Sequence, residues 1–192
     1  MLDRIHITGA AGAGVTTLGR ALAERLGLHQ IDTDDIYWLP TEPPYQAKRP
    51  APDRLAMLHD LFRRNPRWVL SGSLAGWGDP LISEFRLVLY LYTPVEIRLA
   101  RLRQRETARF GPSVQPGGAR HQEYLDFLDW AASYDTGATE GRDRFKHAAW
   151  LARLPCPVLR LDGAEPVAML VRQVTEFIAG PAQGIPPSQP IR

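Results

Sequence analysis

The chain has 192 residues, of which 44% are hydrophobic, and a formal net charge of +2 at pH 7. This composition predicts one globular domain with its own core and gives no reason to expect nucleic-acid binding through bulk electrostatics. The one cysteine, Cys156, excludes an internal disulfide and is typical of a reducing compartment, so we expect a cytoplasmic protein. No apolar run approaches the roughly 20 residues that span a membrane, and the N-terminus leads directly into a predicted strand. We therefore expect neither a membrane span nor a signal peptide.

Predicted strands and helices alternate along the chain. Strands are expected at 4–8, 29–32, 68–70, 86–92 and 158–161. Helices are expected at 17–26, 53–64, 96–109, 121–134, 142–154 and 167–178. Residues 39–52 hold five prolines and predict an irregular segment, and residues 180–192 hold four prolines without periodicity, which predicts a disordered tail. The alternation predicts an α/β fold, with a central parallel sheet of about five strands flanked by helices.

A glycine-rich segment follows the first predicted strand. Residues 9–17 read Gly-Ala-Ala-Gly-Ala-Gly-Val-Thr-Thr, which fits the phosphate-loop pattern Gly-x-x-x-x-Gly-Lys-[Ser/Thr] except at Val15. Glycines let backbone N–H groups surround an anion, and the helix that follows adds its positive N-terminal end. The Thr16 hydroxyl would bind Mg²⁺. The segment predicts binding of ATP phosphates, the alternative being a glycine-rich turn that binds nothing. Val15 removes the cation that normally follows the γ-phosphate.

Three carboxylates follow the second predicted strand: Asp32, Asp34 and Asp35. They lie at the carboxyl end of a parallel strand, which is the edge where doubly wound sheets bind ligands. A carboxylate there can align an acceptor hydroxyl or accept its proton. Aspartate is also favoured in turns and helix caps. That alternative stays open for Asp32, and Asp35 is predicted to be a cap.

The order and spacing of several motifs resemble those of adenylate kinases and their small P-loop kinase relatives. The matching segments are 9–18, 27–31, 33–36, the Arg-Leu-Arg-Gln-Arg run at 101–105, and 161–168. Residues 35–38 and 68–72 also resemble a small kinase-like group often labelled topology-modulation proteins. The resemblance implies a P-loop NTPase fold, a single kinase-like domain over 1–179, and a helical lid at about 107–144.

The resemblance also implies roles for individual residues. Arg101 and Arg105 would bind polyphosphate, and the loop at Asp162 and Gly163 would lie against the adenine. The predicted nucleotide-binding residues are Gly9, Ala10, Ala11, Gly12, Ala13, Gly14, Val15, Thr16, Thr17, Arg101, Arg105, Asp162 and Gly163. By analogy with shikimate-kinase-like relatives, Asp32 would orient Mg²⁺ together with Thr16, and Asp34 would hold the acceptor hydroxyl.

The acceptor side departs from adenylate kinases. Trp38 stands where they keep one phosphate-binding arginine, and residues 71–75 lack their Asp-Gly-Phe-Pro-Arg motif. Because a dianionic phosphate needs paired cations, this argues against AMP as the acceptor. Tyr37 and Trp38 are predicted to contact the acceptor, with core packing as the alternative, and Lys48 and Arg49 remain candidates for an anion site.

Arginines are concentrated in the predicted helix 96–109. Arg98, Arg101, Arg105 and Arg109 fall on one helical stripe, which predicts an anion partner. Arg101 or Arg105 is the candidate to replace the missing lysine charge, and Arg142 and Arg144 could close from the far side. A solvated basic face or a nucleic-acid patch is the alternative, and the scarcity of interleaved aromatics disfavours nucleic acid.

The predicted function is ATP- and Mg²⁺-dependent phosphoryl transfer to a small molecule, a hydroxyl compound in preference to a nucleoside monophosphate. Asp34, Arg101 and Arg105 are the predicted catalytic residues. The alternative is a nucleotide-binding regulator, or degenerate kinase, that does not transfer phosphate. A weaker third hypothesis is an accessory protein that binds single-stranded nucleic acid. No function is assigned to the five histidines.

Overall fold

The central sheet of the computed structural model has five parallel strands. The structure describes residues 2–137 and 141–180. The strands are β1 (Arg4–Gly9), β2 (His29–Asp32), β3 (Trp68–Ser71), β4 (Leu87–Tyr92) and β5 (Val158–Asp162). Their order in the sheet is β2-β3-β1-β4-β5, with β1 at the centre, where Ile5 pairs with Val69 of β3 and Leu87 of β4. The predicted parallel five-stranded sheet is therefore confirmed.

Helices cover both faces of this sheet. They are α1 (Val15–Leu26), α2 (Thr33–Tyr37), α3 (Ala51–Arg64), α4 (Val95–Phe110), α5 (His121–Ala132), α6 (Arg144–Leu151) and α7 (Val167–Ala179). The α3 helix begins two residues before its predicted start, since Pro50 and Pro52 fit the first turn of a helix. The α6 helix begins two residues later than predicted because the Asp143 side chain accepts from the Lys146 N–H at 2.8 Å and caps its start.

Two segments differ from the sequence predictions. The short helix α2 was not predicted, and Asp32 caps it by accepting from the Asp34 N–H at 3.0 Å. The proline-rich segment 39–52 is folded back on itself and is not wholly irregular. Trp38 and Lys48 form an antiparallel bridge, and the Leu39 N–H donates to the Ala47 carbonyl at 2.9 Å.

Alternating side chains of β1 face two different apolar clusters. Ile5 and Ile7 pack with residues of α1 and α7, whereas the opposite face of the sheet packs under α3 and α6. His6 and Thr8 point to that second face because strand side chains alternate. None of the described helices is both long and apolar enough to cross a membrane. Residues 181–192, most of the predicted tail, lie outside the described residues.

Candidate nucleotide and acceptor site

The loop between β1 and α1 is shaped by three glycines. Gly14, the residue before α1, has φ 101°, and Gly12 has φ 78°, both in the region that favours glycine. A Cβ on Gly9 would lie 2.5 Å from the Leu91 carbonyl oxygen, and one on Gly12 would lie 2.7 Å from that of Arg98. The first N–H groups of α1 have no intrahelical partner. The loop therefore forms a cradle for an anion at the centre of the sheet edge.

Val15, which is partly buried, packs against the core beside this cradle. Its side chain packs against the cluster formed with α1 and α7, and its Cγ2 lies 3.3 Å from where a Cβ on Gly9 would be. The residue at the lysine position is thus turned toward apolar packing.

Thr16 and Asp32, the two predicted metal ligands, are joined by a hydrogen bond. The Thr16 hydroxyl donates to Asp32 Oδ2 at 3.0 Å, while Asp32 Oδ1 accepts from the Asp34 N–H. Asp32 therefore caps α2 and also approaches the phosphate loop. Hydroxyl and carboxylate oxygens are ligands that Mg²⁺ prefers, and Mg²⁺ in nucleotide sites needs only one or two carboxylates besides phosphate and water. The residues present fit this ion.

Asp34 lies in a cleft between charges of both signs. Partial burial raises the pKa of its carboxyl, and Asp32 raises it further, whereas Arg142 and Arg105 oppose the shift. The side chain is still accessible to water, so the cleft is open. Burial lowers the pKa of Arg142, while Asp34 acts to raise it. Asp34, Arg105 and Arg142, which are far apart in the sequence, thus act on one another across the cleft.

Arg101 connects the phosphate loop to the loop after β5. Its Nη1 donates to the Gly163 carbonyl at 2.9 Å and to the Ala13 carbonyl at 3.3 Å. A Cβ on Gly163 would lie 2.8 Å from the Ala13 carbonyl oxygen, which shows how closely the two loops approach. The structure therefore brings the predicted residues around 162–163 next to the phosphate loop.

Arg105 is the other predicted polyphosphate ligand. Its Nε donates to Glu106 Oε1 at 2.7 Å, and its side chain is 49% exposed. Since Arg101 is bound to backbone carbonyls and Arg105 faces the Asp34 cleft, Arg105 is the better placed of the two to supply the missing cation.

Arg98 lies on the predicted stripe of α4, but the expectation that it needs an anion partner is wrong, because it is already paired inside the protein. Its side chain is 0% exposed and forms a 2.5 Å ion pair with Asp135. It also donates to the carbonyls of Thr93 and Ala131 at 3.0 and 2.9 Å. Arg109 contacts the Tyr45 hydroxyl at 3.0 Å.

Arg54 is a site residue that the sequence did not single out. It is 8% exposed, and its guanidinium lies 3.8 Å from the centre of the Tyr37 ring. Its Nε donates to the Arg49 carbonyl at 2.6 Å, and among the described residues its two terminal nitrogens have no acceptor. In the sequence, Arg54 is only an arginine near the start of the predicted helix 53–64, and nothing there indicated a contact with Tyr37.

The predicted aromatic residues Tyr37 and Trp38 pack edge-on against each other, with ring centroids 4.9 Å apart. The Tyr37 ring also contacts the Arg54 guanidinium and lies 6.3 Å from the Trp77 ring, and the Trp38 ring also packs edge-on against Tyr45 at 5.8 Å. Arg49, a candidate anion ligand, donates from Nε to the Ile36 carbonyl at 2.9 Å and from Nη2 to the Trp38 carbonyl at 3.4 Å, which uses two of its five N–H donors.

The argument against AMP assumed a cleft without cations. The structure places Arg54 on the Tyr37 ring of α2 and brings Arg105 and Arg142 within electrostatic reach of Asp34. That argument relied on the absence of cations, but other parts of the chain bring arginines to this region. The preference for a hydroxyl compound over a nucleoside monophosphate therefore stays a prediction that needs an assay.

Sequence comparisons show the family to which the chain belongs. Residues 5–112 match the family model described as AAA domain. The chain is 42% identical over 179 residues to the uncharacterized protein YqaC of Bacillus subtilis (strain 168), which covers 93% of this chain and 99% of that protein. The chain belongs to this family of AAA-domain proteins.

The relatives of this AAA-domain chain include small kinases. It is 32% identical over 112 residues to shikimate kinase of Acinetobacter baumannii (strain AYE), covering 52% of this chain and 61% of the enzyme. It is 26% identical over 114 residues to cytidylate kinase of Archaeoglobus fulgidus, covering 54% of this chain and 62% of the enzyme. Both alignments span about three fifths of the enzymes' own length. A solved shikimate kinase from Acinetobacter baumannii in complex with shikimate shares the fold, with a TM-score of 0.54 at 22% identity over 93% of each chain.

Proposed function

We propose that this protein transfers the γ-phosphoryl group of ATP to a hydroxyl group of a small molecule. The observation that carries the proposal is the hydrogen bond from Thr16 to Asp32, because it joins the phosphate loop to the strand end that carries Asp34. The 32% identity to a shikimate kinase, whose name states phosphoryl transfer to a small molecule, supports it.

The residues divide the reaction among them. The N–H groups of the 9–17 loop would bind the β-phosphate, and Thr16 and Asp32 would hold Mg²⁺, which would neutralise charge on the phosphate oxygens. Asp34 aligns the acceptor hydroxyl and accepts its proton as the oxygen attacks the γ-phosphorus and the bond to ADP breaks. A raised pKa makes this carboxylate a better base.

Arginines supply the positive charge that Val15 does not. Arg105 and Arg142 lie within electrostatic reach of Asp34, beside the place where the acceptor hydroxyl would meet the γ-phosphoryl group, whose oxygens carry the negative charge in the transfer. The two terminal nitrogens of Arg54 would offer their N–H groups to oxygen atoms of the acceptor. This arrangement suits an acceptor rich in oxygen and held by hydrogen bonds beside Tyr37.

A second candidate is a protein that binds nucleotide without transferring phosphate. It is favoured by Val15, which packs into the core, and by Arg105, whose charge is partly neutralised by Glu106. In that case no cation follows the γ-phosphate, and ATP would be held by the loop alone.

Calorimetry and a coupled ADP assay separate the two candidates. ATP with Mg²⁺ is titrated into the wild type and into Gly14→Val. A valine backbone cannot adopt the positive φ of Gly14 without strain, so ATP binding should be lost in the variant. ADP formation is then measured with shikimate, hexoses, nucleosides and nucleoside monophosphates as acceptors. Binding without ADP formation for any acceptor would favour the non-transferring protein, and unchanged ATP affinity in Gly14→Val would contradict both candidates.

Asp34→Asn tests the assigned base, with Asp35→Asn as the matched control. We expect Asp34→Asn to retain the wild-type ATP affinity and to lower the transfer rate roughly 10²-fold or more. Asp35, which is exposed on the same short helix, should tolerate the change. A parallel loss of ATP affinity would move Asp34 to the metal site, and equal rates in both variants would leave it a structural residue.

A further inference from the structure

The carbonyl oxygen of Ala13, in the phosphate loop, accepts two hydrogen bonds from outside the loop. The Thr93 hydroxyl donates to it at 3.1 Å, and Arg101 Nη1 donates to it at 3.3 Å. A carbonyl oxygen has two lone pairs, so its capacity as an acceptor is filled. The donors lie 80 and 88 residues further along the chain. The direction of this carbonyl in the loop is therefore set by tertiary contacts.

The direction of the Ala13 carbonyl also sets the direction of the next N–H group. In a trans peptide the C=O of one residue and the N–H of the next point in opposite directions, and the peptide between Ala13 and Gly14 is trans. Because the carbonyl points toward Thr93, the Gly14 N–H points away from Thr93. This N–H donates to no group among the described residues. It stands directly before α1, where it is available to a phosphate oxygen.

Glycine at position 14 makes the opposite orientation of this peptide accessible as well. Turning the peptide changes ψ of Ala13 and φ of Gly14, and glycine occupies positive and negative φ about equally. In the turned peptide the carbonyl oxygen, with its negative partial charge, would face the phosphate, and the N–H would be withdrawn from it. A restraint from outside the loop therefore favours the orientation that binds an anion.

Thr93 is itself fixed on two sides. The residue is 2% exposed, and its carbonyl accepts from Arg98 Nε at 3.0 Å. A Cβ on Gly163 would lie 2.1 Å from the Thr93 hydroxyl oxygen, so the hydroxyl is enclosed between the phosphate loop and the loop after β5. The hydroxyl that holds the Ala13 carbonyl thus has a fixed position of its own.

We infer that Thr93 is a positioning residue of the nucleotide site. Its hydroxyl, together with Arg101, holds the peptide between Ala13 and Gly14 so that the Gly14 N–H faces the phosphates. Thr93 acts through the Ala13 carbonyl and does not itself contact the nucleotide. The inference rests on one part of the proposed function, the binding of ATP phosphates by the 9–17 loop, and not on phosphoryl transfer.

The test is calorimetric titration of ATP with Mg²⁺ into the wild-type chain, Thr93→Val and Thr93→Ser. Valine has nearly the shape of threonine but has no hydroxyl, whereas serine keeps the hydroxyl. We expect Thr93→Val to weaken ATP binding about tenfold or more, because a hydrogen bond to a charged group accounts for roughly a tenfold to hundredfold change in affinity. Thr93→Ser should restore the affinity to within about twofold of the wild type.

Thr175→Val is the matched control for the loss of a threonine hydroxyl. The Thr175 hydroxyl donates to the Arg172 carbonyl at 2.9 Å in an exposed hydrogen bond of α7, so the variant removes the same kind of bond away from the loop. Its ATP affinity should equal that of the wild type. If Thr93 served stability alone, Thr93→Val would lower the free energy of unfolding and leave the ATP affinity unchanged, which would overturn the inference.

A crystal structure of Thr93→Val/Arg101→Met without nucleotide reads the orientation of the peptide directly. Both donors to the Ala13 carbonyl are absent from this variant, and we expect the carbonyl to turn away from residue 93. An unchanged orientation would overturn the inference, whatever the chain binds. If the double variant does not fold, the calorimetry of the two Thr93 variants decides the matter.

Failure of the inference and failure of the proposed function give different results. ATP affinity that is equal in Thr93→Val and the wild type, or as weak in Thr93→Ser as in Thr93→Val, would overturn the inference and leave phosphoryl transfer standing. ATP binding that depends on the Thr93 hydroxyl, in a chain that forms no ADP with any acceptor, would contradict the transfer and support the inference. A wild type that binds no ATP would contradict the proposed function, and the ligand-free structure then decides the role of Thr93.

Discussion

Val15 shows how one residue can separate nucleotide binding from turnover. The backbone of the phosphate loop has the conformation that anion binding requires, with Gly14 at φ 101°. The side chain that would add charge is replaced by one that packs on the core. Binding through N–H groups is therefore retained, whereas compensation of the γ-phosphate charge must come from elsewhere.

Val15→Lys should strengthen ATP binding or speed ATP hydrolysis. One charge-assisted contact is worth about 1.5–3 kcal/mol, which is roughly a tenfold to hundredfold change. Val15→Met, of similar length and without charge, is the control for lost core packing. ATP affinity from calorimetry should rise for lysine and not for methionine. Equal behaviour of the two variants would mean that Arg105 or Arg142 already fills the role.

The raised pKa of Asp34 predicts an acid limb in the rate of transfer. Because the carboxylate is the active form, kcat/KM should fall as the pH falls through a pKa above the usual value of about 3.9 for aspartate. Arg105→Met removes a cation that favours the charged form, so the limb should move to higher pH. Arg103→Met, at an exposed position of the same helix, should leave the limb in place. An unmoved limb in Arg105→Met would show that this cation does not act on Asp34.

At the scale of elements, Arg98 fastens α4 to its neighbours. It reaches the carbonyl of Thr93 before the helix, that of Ala131 at the end of α5, and Asp135 beyond it. Arg98 thus ties the part of the chain that carries the predicted lid, at about 107–144, to the edge of the sheet. The lid itself stays a prediction.

Asp135→Ala should destabilise the fold by about 3 kcal/mol. It removes the carboxylate that compensates a guanidinium with 0% exposure, and losing one partner of a buried pair costs roughly 3–5 kcal/mol. The lower end applies because Asp135 is itself 22% exposed. Glu176→Ala breaks the exposed pair with Arg172 and should cost less than about 1 kcal/mol. Urea unfolding measures both, and similar costs would contradict the structural role of Arg98.

For the whole molecule, two buried histidines make stability depend on pH. Burial lowers the pKa of His6 to about 3 and that of His147 to about 4, whereas both would titrate near 6.5 in the unfolded chain. Between these values the unfolded state binds protons that the folded state does not. The contribution of the two histidines to the free energy of unfolding is therefore complete above about pH 6.5. It is lost as the pH falls toward their pKa values in the folded state.

The free energy of unfolding should decline by up to about 1.4 kcal/mol per pH unit for each histidine as the pH falls from 6 to 5. Replacing His147 by Gln should remove its share of this slope, whatever it does to the stability at pH 7.5. The exposed His59→Gln should keep the wild-type slope. Urea titrations at pH 7.5, 6.0 and 5.0 give these slopes, and a slope unchanged in His147→Gln would show that this histidine does not titrate on unfolding.

The sequence by itself determined the features that are encoded locally. Alternating strand and helix patterns predicted the parallel sheet, since each pattern depends on neighbouring residues. The glycine spacing at 9–14 and the aspartates after β2 predicted where the phosphate loop and its acidic partner lie. The pairing of Thr16 with Asp32 was predicted from the resemblance to shikimate-kinase-like proteins, and in the structure the two side chains are joined by a hydrogen bond.

Only the tertiary structure decided which partner each side chain meets. Arg98 and Arg101 are three residues apart on one helix, yet the first is buried against Asp135 and the second is bound to Gly163. Arg54 reaches the ring of Tyr37 only because the proline-rich segment folds back. The phosphate loop is held by a hydroxyl 80 residues further along the chain. A periodic pattern shows which face of an element is apolar. Which partner a polar side chain contacts depends on packing between distant parts of the chain.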